Sequence, residues 1–297
     1  MPSLTIITPT YNRANTLTNG FNALLKQSCY DFQWLIIDDG STDNTKEVVQ
    51  QFRSSTDRFE IDYHYKENGG KHTALNEAHP FIRGRYVVIV DSDDILSSDA
   101  VETILMRWKA FDNDKRVGRI IFLKGYSVNR PICYVKNEGI PLNTLREPRI
   151  GSAGRDCCDT FRTELFKKHP FPVFPDERFI GEGTAFTPME MESLGVYYNK
   201  VLLIGNYLDD GLTKAGVAMR IHNPKGGMAN SLVHMHPKLS LKTRFKKGIL
   251  YNCYGKFAKV SFKDALQNNP YKALTLTTYL PGVLLHHYWV RKYLQQS

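Results

Sequence analysis

Three apolar, β-branched runs in the first third of the chain constrain its fold most, because each run ends abruptly in a polar cluster. Between them, apolar residues such as Leu17, Phe21 and Leu24 recur at the spacing of an amphipathic helix. The runs, each with the cluster that follows it, are 4–8 with 8–13, 34–37 with 38–41, and 86–90 with 91–94. Alternating strands and helices predict an α/β fold with a mostly parallel, open sheet flanked by helices.

The polar clusters mark the expected ligand site. In an open parallel sheet, ligands bind at the carboxyl ends of the strands, which is where these clusters would lie. The chain has neither a GxGxxG pattern after the first strand nor the GKS or GKT of a phosphate loop. The sequence therefore disfavours a dinucleotide-binding protein and a P-loop protein.

Asp91, Asp93 and Asp94 place three carboxylates just past the most apolar of the predicted strands. Carboxylates this close repel one another and resist ionisation unless a cation joins them. Mg²⁺ or Mn²⁺ is the natural partner, since these ions take one or two carboxylates together with substrate phosphates. The alternative is an acidic turn ahead of a helix that we expect to begin near Asp99.

Taken together, the clusters resemble the family-2 inverting glycosyltransferases of GT-A fold, and one segment resembles a branch that makes bacterial surface polysaccharides. The resemblance covers about the first 125 residues and becomes patchier beyond them. The stretches that carry it are 6–13, 35–43, 68–76 and 88–94, with weaker support from 181–183 and 207–213.

This resemblance implies a nucleotide-sugar donor, most simply a UDP-sugar, and a bound Mn²⁺ or Mg²⁺. Asp93 would bind the metal, and Asp91 would contact the metal or the ribose. Asp39 would accept a hydrogen bond from the base and Lys71 would face the diphosphate; the alternatives are a turn-forming aspartate and a solvated lysine. Asp94 is expected to cap the following helix. The residues expected to bind the donor are Pro9, Tyr11, Arg13, Asp39, Asn68, Lys71, Asp91 and Ser92.

An inverting transfer also needs a carboxylate that deprotonates the acceptor hydroxyl as it attacks the anomeric carbon. We expect Glu182 to be this base, because similar proteins carry a catalytic acid at this position. Its neighbours Gly181 and Gly183 would let sugar rings approach the backbone. A contribution to the metal site from His234 and His236, whose spacing suits one face of a strand, is left open. Four other acids compete for the role of base: Asp176, Glu177, Asp209 and Asp210.

The sequence predicts a catalytic domain followed by a helical region of different charge. We expect a GT-A domain over 1–220, with a nucleotide-sugar-binding half (1–124) and an acceptor-binding half (125–220), and then a basic C-terminal helical region (221–297). From Arg220 onward the chain has 13 basic residues and one acidic residue, a net charge of +12, whereas the preceding residues carry −3.

The basic C-terminal region is expected to contact an anionic membrane, because aromatic residues are interleaved with its lysines and arginines. The alternatives are a helical appendage with solvated lysines and a dimerisation surface. Nucleic acid is not an expected partner, and the oligomeric state is left open. No apolar stretch could span a bilayer and no signal-peptide pattern is evident, so we expect a cytoplasmic protein, peripheral at the inner face of the membrane.

The sequence thus predicts an inverting, metal-dependent glycosyltransferase that acts on a saccharide or lipid-linked acceptor in bacterial surface polysaccharide synthesis. The alternative is a non-catalytic module that binds a nucleotide or a carbohydrate within a membrane-associated complex. A nucleotidyltransferase would use a similar sheet and metal. It would usually carry a glycine-rich first loop, whereas residues 8–13 contain no glycine.

Overall fold

The computed structural model describes residues 1–145, 149–151, 156–205 and 212–294. The chain forms two compact units. Unit 1 comprises Met1–Pro170 and Glu192–Asn206, and unit 2 comprises Phe171–Met191 and Tyr207–Ser297. Residues 171–191, which we expected in the acceptor-binding half, therefore belong to the same unit as the basic C-terminal region. The functional division into two halves stays a prediction.

Unit 1 is built on a β-sheet. Its strands are β1 (Leu4–Thr10), β2 (Phe32–Asp38), β3 (Glu60–Tyr65), β4 (Tyr86–Ile89), β5 (Ile95–Leu96), β6 (Val117–Ser127), β7 (Arg130–Pro131), β8 (Cys133–Val135), β9 (Arg149–Gly151), β10 (Cys157–Arg162) and β11 (Leu194–Ile204). In the described part of the chain, nine strands form one sheet in the order β3-β2-β1-β4-β10-β6-β11-β5, with β7 paired to β6. Strands β8 and β9 form a separate antiparallel pair.

The first four strands run parallel, with β1 between β2 and β4. Every residue of β1 and β2 is buried. The continuous apolar runs predicted this, because a central parallel strand is covered by helices on both faces. Thr10 pairs with Asp38 at the carboxyl ends of β1 and β2, so the first two polar clusters meet at one edge of the sheet.

The second half of the sheet departs from a simple parallel pattern. Strand β10 is antiparallel to both neighbours, β4 and β6, whereas β11 is parallel to β6. We did not predict β10, because this part of the sequence has weak periodicity. Strand β11 begins at Leu194 and ends at Ile204.

Helices and aromatic side chains cover the parallel strands. The helices of unit 1 are α1 (Ala14–Leu24), α2 (Thr45–Ser55), α3 (Lys71–Glu77), α4 (Ala100–Lys109) and α5 (Thr163–Lys168), with a 3₁₀ turn over His79–Phe81. Phe21 of α1 stacks on Phe52 of α2 with ring centroids 4.3 Å apart, and Trp34 stacks on Phe52. The indole N–H of Trp34 donates to Thr8 Oγ1 at 2.9 Å, so this buried polar group is satisfied.

Unit 2 is helical in its described part, with α6 (Gly183–Glu192), α7 (Leu212–His222), α8 (Pro224–Val233), α9 (Leu241–Phe257), α10 (Phe262–Gln267), α11 (Lys272–Thr277) and α12 (Tyr279–Tyr293). Cys253 and Tyr254 of α9 share an apolar core with Trp289 of α12. A Cβ atom on Gly282 would lie 2.5 Å from Asn252 Cβ, so α12 approaches α9 closely at this glycine. No helix in the described ranges has the length and apolar character needed to cross a bilayer.

Candidate active site

Hydrogen bonds connect the residues that follow the carboxyl ends of β1 and β2. Asn12 adopts a positive φ of 51°, accepts the N–H of Thr42 through Oδ1 at 2.7 Å, and donates its own N–H to Ser41 Oγ at 2.9 Å. Asp38 accepts the N–H of Ser41 and the hydroxyl of Tyr63. The carboxylate of Asp38 therefore supports the turn between the strand and α2.

Three residues near the carboxyl end of β1 were expected to contact the nucleotide: Pro9, Tyr11 and Arg13. Pro9 is buried in the strand and pairs with Ile37 of β2. Tyr11 is 47% exposed, and Arg13 is half-buried at the start of α1. Of the three, Tyr11 presents the most surface to a ligand, and a contact of any of them with a nucleotide stays a prediction.

Asp39 organises the loop between β3 and α3. Its carboxylate accepts the N–H of Gly69 at 2.9 Å, the N–H of Gly70 at 2.7 Å and the ammonium of Lys66 at 2.7 Å. Asn68 Nδ2 donates to the backbone carbonyl of Asp39 at 2.8 Å. The chain itself thus engages the Asp39 carboxylate, and its contact with a base stays a prediction. We did not predict Lys66. It directly follows a strand, and the tendency of binding residues to lie at the carboxyl ends of parallel strands would have pointed to it.

Asp91, Asp93 and Asp94 form an acidic triad beyond β4, with one carboxylate oxygen of each within 4.8 Å of the others. Lys71 Nζ lies 2.7 Å and 2.8 Å from the two oxygens of Asp91. Lys124 Nζ lies 2.8 Å from Asp94 Oδ2. Asp93 is exposed. Two ammonium groups therefore offset part of the repulsion among three carboxylates and leave Asp93 facing solvent.

The expectation that Asp94 caps the next helix is wrong. Asp94 is 4% exposed and pairs with Lys124 of β6, while α4 begins after Asp99. Burial raises the pKa of the Asp94 carboxyl to about 6, against the opposing effect of the Lys124 charge. A Cβ atom on Gly205 would lie 1.7 Å from Asp94 Oδ1. Gly205 is thus required for Asp94 to anchor the acidic triad against the sheet.

Two more polar residues lie beside these groups in the sequence. Ser92, expected to bind the donor, is half-buried between Asp91 and Asp93 along the chain. His72 is 3% exposed, and neither of its ring nitrogens has a hydrogen-bond partner among the described residues. Burial lowers the pKa of His72 to about 4, so its ring is neutral at pH 7.

Unit 2 contains Glu182, the expected base. Glu182 is exposed and directly precedes α6, and its carbonyl oxygen accepts the N–H of Phe186 at 2.9 Å. A Cβ atom on Gly183 would lie 2.7 Å from His234 Cε1, so the end of α8 packs against the backbone next to Glu182. Gly183 is therefore needed for close packing against His234, whereas we had expected it to let a sugar ring approach the backbone.

The competing acids lie in different surroundings. Glu177 is 4% exposed, and its two carboxylate oxygens accept the N–H groups of Lys225 and Gly226 at 2.6 Å each. It therefore satisfies the N-terminus of α8. Asp176 is exposed and lies 3.4 Å from Lys225 Nζ. Asp209 and Asp210 lie outside the described residues.

The two histidines whose contribution to the metal site was left open are not on a strand, although their spacing suited one. Both follow the end of α8 in a turn. His234 Nδ1 lies 2.7 Å from the Asn230 carbonyl oxygen and must carry the proton, so Nε2 accepts the hydroxyl of Thr187 at 3.2 Å. These contacts occupy both ring nitrogens of His234. Although glycine disfavours a helix, α8 begins at Pro224 and includes Gly226 and Gly227.

A sequence profile assigns the chain to a family. The profile of glycosyl transferase family 2 matches residues 5–169, which is more than half of the chain. The chain belongs to glycosyl transferase family 2. The matched residues of this family-2 chain contain Asp39, Lys71 and the acidic triad, whereas Glu182 lies beyond them.

Bacterial relatives confirm the expected resemblance to polysaccharide glycosyltransferases. Chondroitin synthase of Pasteurella multocida is 37% identical over 132 residues, which cover 44% of this chain and 13% of that protein. The GalNAc(5)-diNAcBac-PP-undecaprenol beta-1,3-glucosyltransferase of Campylobacter jejuni is 34% identical over 111 residues, which cover 36% of this chain and 35% of that protein. The chain therefore spans well under half the length of these relatives.

Solved structures confirm the expected GT-A fold. S. aureus TarS 1–349 in complex with UDP has a TM-score of 0.60 and 16% identity, over 100% of this chain and 92% of that chain. The mannosyltransferase PcManGT from Pyrobaculum calidifontis, in complex with GDP-Man and Mn²⁺, has a TM-score of 0.57 and 18% identity, over 98% of this chain and 83% of that chain. At these identities the likeness concerns the fold alone.

The acidic triad has the donor chemistry of a site for a hard cation. Its ligand atoms are carboxylate oxygens, which Mg²⁺ and Mn²⁺ prefer over softer donors. Asp93 is exposed and open to an ion, whereas Asp91 is half-buried and would bind one once Lys71 turns away; Asp94 is buried against Lys124. The residues present thus fit the expected ion.

Proposed function

We propose that this family-2 chain is an inverting glycosyltransferase that moves a sugar from a nucleotide-sugar donor, a UDP-sugar, to a hydroxyl of a saccharide or lipid-linked acceptor in bacterial surface polysaccharide synthesis. The acidic triad with Lys71 at the carboxyl edge of a parallel sheet carries this proposal. The UDP bound to TarS supports the choice of nucleotide, and the undecaprenol in the name of the Campylobacter relative supports a lipid-linked acceptor.

In this proposal Asp91 and Asp93 hold a divalent cation. Bound Mn²⁺ or Mg²⁺ would neutralise the charge of the departing nucleoside diphosphate. The Lys71 ammonium, which now pairs with Asp91, would turn to the diphosphate and add a second positive charge. Asp39 would accept an N–H of the base. The remaining donor-binding residues are Pro9, Tyr11, Arg13, Asn68 and Ser92.

Glu182 supplies the base in this mechanism. Its carboxylate would take the proton of the acceptor hydroxyl while the acceptor oxygen attacks the anomeric carbon on the side opposite the nucleotide. The bond between the anomeric carbon and the phosphate oxygen breaks, and the nucleoside diphosphate leaves with the electron pair. One displacement of this kind inverts the anomeric configuration.

We also propose that the chain attaches to the inner face of an anionic membrane through its basic C-terminal region. The net charge of +12 from Arg220 onward supports this attachment, since each lysine or arginine near an anionic surface contributes about 1 kcal/mol. A membrane-bound enzyme would meet a lipid-linked acceptor at the surface where that acceptor lies.

Asp93→Asn tests the proposed chemistry. Nucleoside diphosphate release from UDP-sugars and from GDP-mannose is measured with Mn²⁺ and with EDTA. We expect release from one UDP-sugar, its loss in EDTA, and a loss of about 100-fold or more in Asp93→Asn. Asp57→Asn, at another exposed aspartate, is the control and should retain activity. Full activity in EDTA and in Asp93→Asn would refute the proposal. UDP binding without turnover of any donor would favour the non-catalytic module.

A further inference from the structure

Helix α12 carries apolar side chains on two opposite faces. Helical periodicity places Gly282 and Trp289 on one face, where they are buried against α9. The opposite face, here called the outer face of α12, consists of Leu280, Leu284 and Tyr288. These three side chains are 66%, 63% and 55% exposed, respectively. The outer face is therefore an apolar stripe that no described residue covers.

The charged residues of α11 and α12 are all basic. Arg291 and Lys292 follow it on α12 and are exposed, and Lys292 Nζ lies 5.7 Å from the centre of the Tyr288 ring. Lys272 is exposed at the start of α11. Asp264 is the only acidic residue from Arg220 to the end of the sequence, so no carboxylate occurs in α11 or α12.

We propose that the outer face of α12 is the surface that docks onto anionic phospholipid membranes. This inference rests on the proposed membrane attachment and names the residues that make it. Leu280 and Leu284 would enter the boundary between headgroups and acyl chains, Tyr288 would lie at headgroup level, and Arg291 and Lys292 would contact the lipid phosphates. Burial of apolar surface and charge complementarity then act on the same face.

Charge complementarity also favours a lipid surface over a second copy of this chain. Two copies joined through this face would bring together two segments that each carry a net charge of +12. Like charges at an interface repel, whereas an anionic bilayer attracts the same residues. An apolar stripe surrounded by lysine and arginine is typical of a helix that lies in the membrane interface.

The experiment measures co-sedimentation of the full chain with vesicles of phosphatidylcholine, with and without phosphatidylglycerol. We expect the wild-type chain to bind the phosphatidylglycerol vesicles, to bind phosphatidylcholine alone weakly, and to lose binding at high salt. Leu280→Ser with Leu284→Ser should lower the partition coefficient about tenfold. Ile140→Ser is the matched control, since Ile140 is an exposed aliphatic residue of unit 1, at 57%, and should leave binding unchanged.

Two results with the double variant would overturn the inference. One is that the double variant and the wild type bind vesicles equally and also unfold at the same temperature. The other is a dimer in the absence of vesicles that the same double substitution dissociates, which would show that a second copy covers the face. Release of nucleoside diphosphate by the wild type, measured without vesicles, distinguishes the docking proposal from the proposed function. Activity without vesicle binding refutes the docking face alone. Vesicle binding without activity refutes the proposed function alone.

Discussion

At the scale of single residues, lysines paired with aspartates at the strand ends stabilise the candidate site. The sequence identified Asp39, the acidic triad and Lys71, but it did not identify two other cations that balance these acids. Lys66 bonds to Asp39, and Lys124 pairs with Asp94. Lys124 lies on β6, 30 residues beyond its partner, so no local pattern could have joined them. The buried carboxylate of Asp94 is tolerated because this lysine reaches it.

Gly205→Ala should destabilise unit 1, because a methyl group would lie 1.7 Å from Asp94 Oδ1 and would displace the carboxylate from Lys124. We expect a loss of about 2 kcal/mol or more in the free energy of unfolding, measured in urea. Gly20→Ala is the matched control. Apart from the backbone of its own helix, no described atom lies within 4 Å of a Cβ added at Gly20, so this substitution should stabilise α1 by about 0.5–1 kcal/mol. Equal effects of the two substitutions would contradict the role of Gly205.

Lys247 predicts a pH dependence of stability. Burial, followed by the charges of Arg220 and Lys246, lowers the pKa of Lys247 to about 8 from its usual 10.5, although its ammonium donates to Asn230 Oδ1 at 3.0 Å. The folded chain therefore binds this proton less tightly than the unfolded chain does. The charged form costs on the order of 3 kcal/mol below pH 8, and the cost disappears as the pH rises through 10.5.

Wild-type stability should therefore rise relative to Lys247→Met between about pH 8 and pH 10.5. The measurement is urea unfolding at a series of pH values. Lys242→Met, at an exposed lysine of the same helix, should instead follow the wild-type profile. Parallel profiles for wild type and Lys247→Met would rule out the shifted pKa.

Among the helices and strands, periodicity predicted those of the first half, whereas for unit 2 the sequence predicted a helical C-terminal region without the bounds of its helices. Helix α8 shows the physical reason. Its Gly226 and Gly227 suggested a loop, but each is where a neighbour approaches closely: an added Cβ would lie 2.7 Å from Ile180 Cδ1 and 2.7 Å from Tyr254 Cγ, respectively. Glycine lowers helix propensity by about 1 kcal/mol, and packing of this kind outweighs that loss.

Two glutamates near α8 should respond differently to substitution. Glu177→Gln should lower the thermal stability of the chain, because the amide cannot accept the N–H groups of both Lys225 and Gly226. We expect a loss of about 1–3 kcal/mol. Glu182→Gln should leave stability unchanged and lower transfer about 100-fold or more, since Glu182 is exposed and is the proposed base.

Transfer assays and thermal unfolding of both variants check this prediction. Glu164→Gln, at an exposed glutamate in the first turn of α5, is the control for both readouts. Loss of transfer in Glu177→Gln with stability intact would move the role of base to Glu177.

At the scale of the whole molecule, the sequence predicted a catalytic domain followed by a basic helical region. The two compact units of the structure do not follow that boundary. The basic helices belong to the unit that contains Glu182 and α6. Met235 is fully buried and packs with Tyr251 of α9 and Ala265 of α10. The C-terminal region therefore supplies part of the apolar core of unit 2.

Removal of all residues after Ser240 should expose this core and lower the unfolding temperature by several degrees or more, because α9–α12 would be lost. Calorimetry of the full and shortened chains measures the effect, with the double variant at Leu280 and Leu284 as the control that keeps the fold. A shortened chain with an unchanged unfolding temperature would show that the basic region is a separable appendage.

Sequence patterns were enough to predict the parallel strands β1, β2 and β4, the polar clusters at their ends and the family. These features depend on local apolar runs and on residues that follow them directly. The tertiary structure was needed to show that β10 enters the sheet antiparallel, that Lys124 balances the buried Asp94, that Glu177 caps α8, and that no described residue covers the outer face of α12. Each of these depends on contacts between residues far apart in the chain, which no local pattern encodes.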